Sequence, residues 1–581
     1  MNILGLSFFY HDAAAALLKD GVLVAAGEEE RFSRKKHDPG FPVNAVRFCL
    51  ERAGIQAQDL DYVVFYEKPF LKFERILVTS FATFPKSMAV FRESMLKWLT
   101  EKLWVKSVIA EKLGISKKKI IFADHHMSHA ASAFYCSPFE EAAILTVDGA
   151  GEWSTSTQGI GRGTQIDIQR EMRFPHSIGL LYSAFTAYCG FEVNEGEYKL
   201  MGMAPYGVPR YVDKIKQIVR IGEDGSLWHD MSYFSYHYSA SSTLAQRFSE
   251  HFGKPPRDPK EQDKSLDPYY CDVAASIQAV TEEILIKMAK HLQKTTGSKH
   301  LCIAGGVGLN CVANAKILRD CGFDQLYVHP AAGDDGGAVG AALWAYHGLL
   351  GKPRGFVMEH AYWGSEYSSG RIREFLDKAQ IPYEEIGDEG KLCERVADDL
   401  LQAKVCGWYQ GRFEWGPRAL GARSIIADAG HPDMKDIVNS KIKFREAFRP
   451  FAPSVLTERC EELFELPNAE KHYPARFMLY VVPVKDAWKD KLPSITHVDG
   501  TGRVQCVRKD TAPRYYRLIE TFGQASGRPV ILNTSFNLKG EPIVETPANA
   551  YATFMRSGMD SLILGDFYID KKKQKVSGGA R

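Results

Sequence analysis

Four residues far apart in the chain carry side chains able to share one metal ion: His125 and His129 in D-H-H-M-S-H-A, Asp148 in T-V-D-G-A-G, and Asp334 in A-G-D-D-G-G. Two imidazoles four residues apart fall on one face of a helix, and an Asp at each of two strand-to-glycine turns completes a cage for a borderline metal such as iron or zinc. A cation held that way can grip a nucleotide phosphate. An isolated H-x-x-x-H is more often a pair of capped or core histidines. The glycine turns around both aspartates favour the metal. Asp335 competes with Asp334, and His126 with His125, although the spacing to His129 favours His125.

A second constellation is basic. Residues 411–424, G-R-F-E-W-G-P-R-A-L-G-A-R-S, set Arg412, Arg418 and Arg423 in a glycine-broken loop, and Lys443, Arg445 and Arg449 follow in K-F-R-E-A-F-R-P-F. Guanidinium forks satisfy phosphate oxygens bidentately. Trp415, Leu420, Phe444 and Phe448 want burial, where unpaired arginines are costly, so an anionic ligand or matching carboxylates are expected. Together the segments read as an oxyanion pocket, against the plainer alternative of an exposed basic face.

Smaller signals surround these. N-T-S-F-N, from Asn533, follows a strand over 530–532 and offers amide and hydroxyl partners at a strand end. His11 and Asp12 stand where the first strand turns, and His11 is a candidate general base or anion-orienting group, against the alternative of a turn-capping histidine. Glu197 and Lys199 in N-E-G-E-Y-K are a charged pair among glycines, equally well read as a salt-bridged loop. Leu301 to Asn310, L-C-I-A-G-G-V-G-L-N, runs a buried strand into a turn where the N–H groups of Gly305 and Gly306 can meet ribose or phosphate. Gly149 and Gly151, in the Asp148 turn, are candidates of the same kind. G-G-V-G by itself is as readily a tight structural turn.

The elements that must position these residues repeat. Strands over 3–9, 13–18 and 22–26, with a turn at Asp20-Gly21, are followed by helix; near Ala142 the order recurs, with strands over 143–147, 153–159 and 164–170 and a turn at 161–163. A duplicated three-strand meander with helical crossovers suits a two-lobed fold closing on a nucleotide. A helix follows over 270–293, and an Ala-rich helix over 337–346 leads to the breaker-rich G-K-P-R-G. The domain boundary is placed there, giving domains of 1–355 and 356–581. In the second domain, helices are expected over 372–378 and 391–403, and strands over 405–409, 477–484 and 530–532. The terminal K-K-K-Q-K with Ser577-Gly578-Gly579 reads as a solvated tail.

Composition narrows the classes. A chain of 581 residues exceeds one core. With 73 Lys and Arg against 71 Asp and Glu, the net charge of +2 signals no nucleic-acid partner. No stretch reaches the roughly 18 apolar residues of a membrane span. Eleven cysteines without a C-x-x-C pair suit a reducing compartment, the cytoplasm.

Taken in order, H-D-A-A-A-A-L, E-E-R-F-S-R-K-K-H-D, H-H-M-S-H-A, V-D-G-A-G-E, K-L-M-G-M-A-P-Y-G, G-G-V-G-L-N, G-D-D-G-G-A, E-W-G-P-R-A-L-G, F-R-P-F-A-P-S and N-T-S-F-N resemble the NodU/CmcH/TobZ family of O-carbamoyltransferases over nearly the whole chain. The resemblance implies an α/β protein: a duplicated actin-like ATPase (ASKHA) domain of the TsaD type, then a YrdC-like α/β domain. It implies that ATP and carbamoyl phosphate yield carbamoyl adenylate and pyrophosphate in the second half, and that the carbamoyl group then passes to an acceptor hydroxyl in the first. It assigns His125, His129, Asp148 and Asp334 to a divalent metal of the Fe(II) type, Gly305, Gly306 and Asn310 to adenosine, and His11 to the reacting carbamoyl. Asp12 and Lys199 are counted with His11 as catalytic candidates. Arg418, Lys443, Arg449 and Arg503 are candidates for gripping carbamoyl phosphate or the adenylate, with Asn533 beside them.

Met127-Ser128 stands where TsaD-type proteins carry Glu-Gly, which argues against a tRNA-modifying activity. That activity, and a non-enzymatic actin- or Hsp70-like ATP module, remain the competing readings. The expected partner is a small-molecule hydroxyl acceptor, with neither nucleic acid nor membrane. Residues 70–106 and 228–267 are candidates for lining the acceptor cleft but carry no readable code, and Tyr233, Phe234, Tyr236 and Tyr238 suit a sugar or polyketide surface or ordinary packing. Such aromatic insertions are compatible with a homodimer.

Overall fold

The computed structural model describes residues 1–261 and 266–574. Lys575 and residues 577–579 of the expected tail lie outside the described residues. Two compact units form, Met1–Glu29 with Pro39–Met358, and Glu30–Asp38 with Glu359–Arg581.

In the first unit β1 (Asn2–Ser7), β2 (Ala14–Lys19) and β3 (Val22–Glu28) make an antiparallel meander. Asp20 and Gly21 turn β2 into β3 with φ of 51° and 82°, the pair of positive values a type I′ turn requires. β4 (Tyr62–Phe65) and β5 (Ile120–Phe122) join in parallel, giving the order β3-β2-β1-β4-β5. β6 (Glu141–Val147), β7 (Ser154–Arg162) and β8 (Gln165–Arg173) form a second antiparallel meander. After a small hairpin, β9 (Val219–Ile221) and β10 (Leu227–His229), come β11 (His300–Ala304) and β12 (Gln325–Val328), both parallel to β6. The second sheet is ordered β12-β11-β6-β7-β8, so order and strand senses repeat those of the first.

One sequence expectation changes here, and two stretches without a single reading take shape. Gly159 lies in β7 as expected, but Gly161 does not turn the chain: it extends the strand to Arg162, with its Cα facing the Phe134 ring, 2.6 Å from where a Cβ would stand. The turn falls at Gly163-Thr164. Residues 70–106, unpatterned in sequence, form helices Pro69–Ala82 and Met88–Thr100. Phe234 packs within 5.9 Å of Phe248, and Phe248 within 4.6 Å of Phe252, so the aromatic insertion builds a small core. The long helix Pro268–Thr296 begins where Asp267 accepts the Tyr269 N–H and ends at Gly297, φ 65°.

The second unit is one sheet of β13 (Glu384–Glu385), β14 (Cys406–Tyr409), β15 (Arg423–Asp428), β16 (Ala452–Leu456), β19 (Gln505–Val507), β20 (Val530–Ser535), β21 (Ser561–Leu564) and β22 (Phe567–Asp570), ordered β13-β22-β21-β14-β15-β20-β16-β19. β17 (Val481–Pro483) and β18 (Thr501–Arg503) pair separately. The strand expected over 477–484 is cut to β17, because Tyr473–Arg476 is helical and Met478 takes φ of 56°. Helices Glu389–Leu401 and Pro513–Ser526 cover the sheet, closing Leu392, Val396, Leu400, Ile519 and Phe522 over Trp408, Ile426 and Ile531. Residues 30–38 belong to this unit through arginines: Arg31 donates to Gly416 O, and Arg34 to Pro542 O at 2.8 Å and Ile543 O at 2.5 Å.

Candidate metal centre and anion site

Helix His125–Phe134 puts His125 and His129 on one face, 1% exposed each. Asp148 leaves the end of β6, and Asp334 comes from the loop between β12 and helix Gly336–Leu343. One ligand atom from each of the four residues lies within 4.8 Å of all the others. The two Nε2 atoms are 3.2 Å apart, with Asp148 Oδ2 at 3.0 Å from His125 and Asp334 Oδ1 at 3.5 Å from His129. Two ring nitrogens held by one tetrahedral ion at about 2.1 Å would lie about 3.4 Å apart, so the donor set fits iron or zinc. Burial opposes a charge on His129, but Asp148 and Asp334 override it and push its imidazole up to about 10. Burial likewise opposes a charged Asp148, yet its two histidines hold it well below the usual carboxylate range.

The neighbours take other roles. His126 spends Nδ1 on Thr146 Oγ1 at 2.6 Å and Nε2 on Ser154 O at 2.9 Å. Asp335 is not in the cluster; burial, then Glu28 and Asp12, push its carboxyl well up. Two acids the sequence reading left unassigned support the helix. Glu152 accepts the His125 N–H at 3.1 Å and the Lys68 N–H at 2.7 Å, a carboxylate at a helix N-terminus. Glu67, 4% exposed and ion-paired to Lys72 at 2.6 Å, places Oε2 3.9 Å from His125 Nδ1. The signal for Glu152 was its place in V-D-G-A-G-E; for Glu67 it was an acid at a strand end.

Around the cluster, Gly306 donates to Asp148 Oδ1 at 3.1 Å. Gly305 has φ of 94° and a Cβ there would stand 2.2 Å from Val147 O, so the turn admits only glycine. Gly149 and Gly151 follow Asp148 in its turn, where Gly151 O accepts from Arg75 at 2.8 Å. Asn310 caps helix Cys311–Asp320 by accepting from Ala313 N and exchanges amide bonds with Gln278, so its side chain is engaged internally. His11 Nδ1 sits 2.8 Å from Asp12 Oδ2; burial lowers its pKa, but Asp12 prevails and pushes it up to about 9. A raised value favours the anion-orienting role over the general-base role. Glu197 and Lys199 lie two apart on helix Glu197–Met203, where residues so spaced do not face each other, and no ion pair joins them among the described residues. Glu197 instead accepts from Ser183 Oγ at 2.7 Å.

In the second unit the basic loop resolves differently from the expectation. Arg423 is fully buried, donates to Gln410 O, Gly411 O and Ala422 O, and lies 3.7 Å over the Tyr409 ring. Arg412 donates to Trp363 O at 2.7 Å. Main-chain carbonyls thus accept from two of the three arginines, in place of the anion or carboxylates expected from sequence. Glu414, 2% exposed, accepts the N–H groups of Leu420, Ala422 and Arg423 and so folds the loop. Arg418, Arg449 and Arg503 remain candidates, Arg449 beside Glu446 at 3.5 Å. Lys443 is buried and gives its ammonium to Ser535 O, Asn537 O and Asn537 Oδ1. Burial, then Arg445 and Arg449, hold its pKa well below the lysine range. Asn533 lies within β20 and not past its end; 1% exposed, it donates to Ala419 O at 3.1 Å.

Among the described residues no helix is long and apolar enough to cross a membrane. Comparison with known proteins gives two family matches in order: Carbamoyltransferase N-terminus over residues 2–343 and Carbamoyltransferase C-terminus over residues 397–571. The protein sll1178 of Synechocystis is 45% identical over 607 residues, covering 99% of this chain and 97% of that one. Nodulation protein NolNO of Sinorhizobium fredii is 36% identical over 571 residues, covering 97% of this chain and 79% of that one. Among solved structures, HypF of T. kodakarensis aligns at 11% identity and a TM-score of 0.31, over 60% of this chain and 48% of its own, too slight a likeness to assign a fold. On the two family matches and the full-length relatives, the chain belongs to the carbamoyltransferase family that its motifs resemble, the family of the nodulation proteins NolO and NodU.

Proposed function

We propose that this protein is an ATP- and metal-dependent O-carbamoyltransferase acting on a hydroxyl of a small molecule. The observation that carries the reading is the convergence of His125, His129, Asp148 and Asp334 in the unit matched by the N-terminal carbamoyltransferase family. In this reading the second unit, YrdC-like in fold, joins carbamoyl phosphate, ATP and water to carbamoyl adenylate with release of phosphate and pyrophosphate. The first unit, actin-like in fold, then delivers the carbamoyl group: the acceptor oxygen bonds to the carbamoyl carbon, the bond to AMP breaks, and the hydroxyl proton leaves with solvent. AMP is a good leaving group, so the barrier lies in charge developing on phosphate and carbonyl oxygens.

The chain's own residues serve that need. His125, His129, Asp148 and Asp334 would hold a divalent cation of the Fe(II) type, which supplies electrophilic stabilisation of phosphate charge when bound. His11, positive through Asp12, orients the carbamoyl oxygen. Gly306 keeps the Asp148 carboxylate aimed, and Gly305 lets the nucleotide approach the backbone. Arg418, with Arg449 and Arg503, neutralises carbamoyl phosphate or the adenylate in the second unit, while Lys443 holds residues 535–537 in place. The whole cycle suits the cytoplasm, where ATP and carbamoyl phosphate are available.

The test is pyrophosphate release measured with each substrate alone and together, followed by mass spectrometry of a panel of hydroxylated metabolites. Release that needs both ATP and carbamoyl phosphate, and an acceptor heavier by one carbamoyl group, are the expected results. ATP turnover indifferent to carbamoyl phosphate would sink the proposal.

A further inference from the structure

Residues 69–104 of the first unit carry an outward-facing apolar surface, beyond the residues named for the proposed transfer. Helices Pro69–Ala82 and Met88–Thr100 pack antiparallel, with the Phe73 ring 5.7 Å from Trp98 and the Phe81 ring 5.8 Å from Phe91. On the first helix the buried side chains are Pro69, Lys72 and Ser80, whereas Phe70, Leu71, Val78 and Phe81 are 40% to 70% exposed. At about 100° per residue these four fall within one arc of about 100°. Met88, Leu96 and Leu99 on the second helix, 53% to 65% exposed, likewise fall within about 80°. A surface helix of a monomer turns its apolar stripe inward; here the stripes face out.

The extent of the patch fits a protein partner. With Phe84 and Trp104, residues 70–104 hold nine of the twenty exposed large apolar side chains among the described residues. By standard residue areas they expose on the order of 1,000 Å², where a monomer's largest apolar patch is about 300–600 Å² and one side of a stable interface about 800 Å². Charge then selects the partner. Glu74 lies at the middle of the first arc and Arg92 at the middle of the second; both are exposed, and neither forms an ion pair among the described residues. A two-fold axis that lays the first helix of one copy on the second helix of another sets Glu74 against Arg92 twice. A bilayer, by contrast, takes up apolar faces fringed by cations and has no partner for a central Glu74.

We propose that this helical hairpin is a self-association surface, through which two copies of the chain pair as a symmetric dimer with reciprocal Glu74–Arg92 contacts. The proposal is independent of what the protein transfers.

Analytical ultracentrifugation of the full chain tests it. The wild type is expected to be dimeric at micromolar concentration. Glu74→Arg and Arg92→Glu should each weaken the dimer about tenfold, and the double variant, which restores opposite charges across the axis, should return to within about threefold of wild type. Phe81→Glu with Leu99→Glu, checked for unchanged circular dichroism, should leave only monomer. A monomeric wild type, a dimer indifferent to these changes, or single charge variants that the double variant fails to rescue would each overturn the assignment. So would a monomer that floats with phosphatidylcholine vesicles, which would give the face to lipid.

Discussion

His125 and His126 are neighbours in sequence with opposite fates, because a helix turns about 100° per residue and carries one ring to the ligand cluster and the other to Thr146 and Ser154. That difference can be measured. Losing a group that merely orients a ligand costs about 10–100-fold in metal affinity, so His129→Ala, which removes a ligand, is expected to cost more than about 100-fold. His126→Gln should leave metal stoichiometry unchanged. Competition with a chromophoric chelator and elemental analysis decide it; equal loss in both variants would show the metal to be elsewhere. Because the Asp pair holds His129 protonated up to about pH 10, metal uptake must displace a proton, and affinity should rise with pH toward that value.

His11 offers a second test at the same scale. Its pKa is raised to about 9 by Asp12 from an ordinary value of 6.5, so the stabilisation from this pair is fully present below about pH 6.5 and is lost as pH rises through about 9. Asp12→Asn should bring the imidazole back toward 6.5 in an NMR titration. An unmoved titration would remove Asp12 as the cause.

At the scale of elements, the loop from Glu414 to Arg423 shows how a motif that suggested ligand binding is also a folding device. Glu414→Ala strands three buried N–H groups and is expected to cost about 3 kcal/mol or more in urea unfolding. A loss under about 1 kcal/mol would mean that the loop holds its shape without the carboxylate. Sequence reasoning reached the arginines and missed this carboxylate's role because burial predicts that a partner exists without naming it. The meanders were legible, since apolar strands and Asp-Gly turns are local signals. The far end of β7 was not, because Gly161 answers to the Phe134 ring, a contact no local pattern records.

At the scale of the whole molecule, residues 30–38 belong to the second unit although they follow β3 in sequence. Arg34 donates to two carbonyls, so Arg34→Ala should cost about 2–3 kcal/mol, with faster hydrogen exchange at the amides of Ile543 and Val544 in the full chain. Exchange unchanged there would detach the segment from the unit's stability. A boundary placed after residue 355 on glycines and prolines had no means to foresee this, since composition marks where a chain loosens and not where an early segment docks.

The sequence by itself determined the chemistry available: two histidines at helical spacing, aspartates at strand ends, the repeated meander and the family pattern all follow from residue type and local period. Only the tertiary structure decided which of them meet. It chose Asp334 over Asp335 and His125 over His126, spent Arg412, Arg423 and Asn533 on the fold, and turned an unpatterned stretch into an outward-facing apolar hairpin. The reason is physical: periodicity sets direction along one element, whereas a site is made by distances between elements, and those are fixed by packing across the whole core.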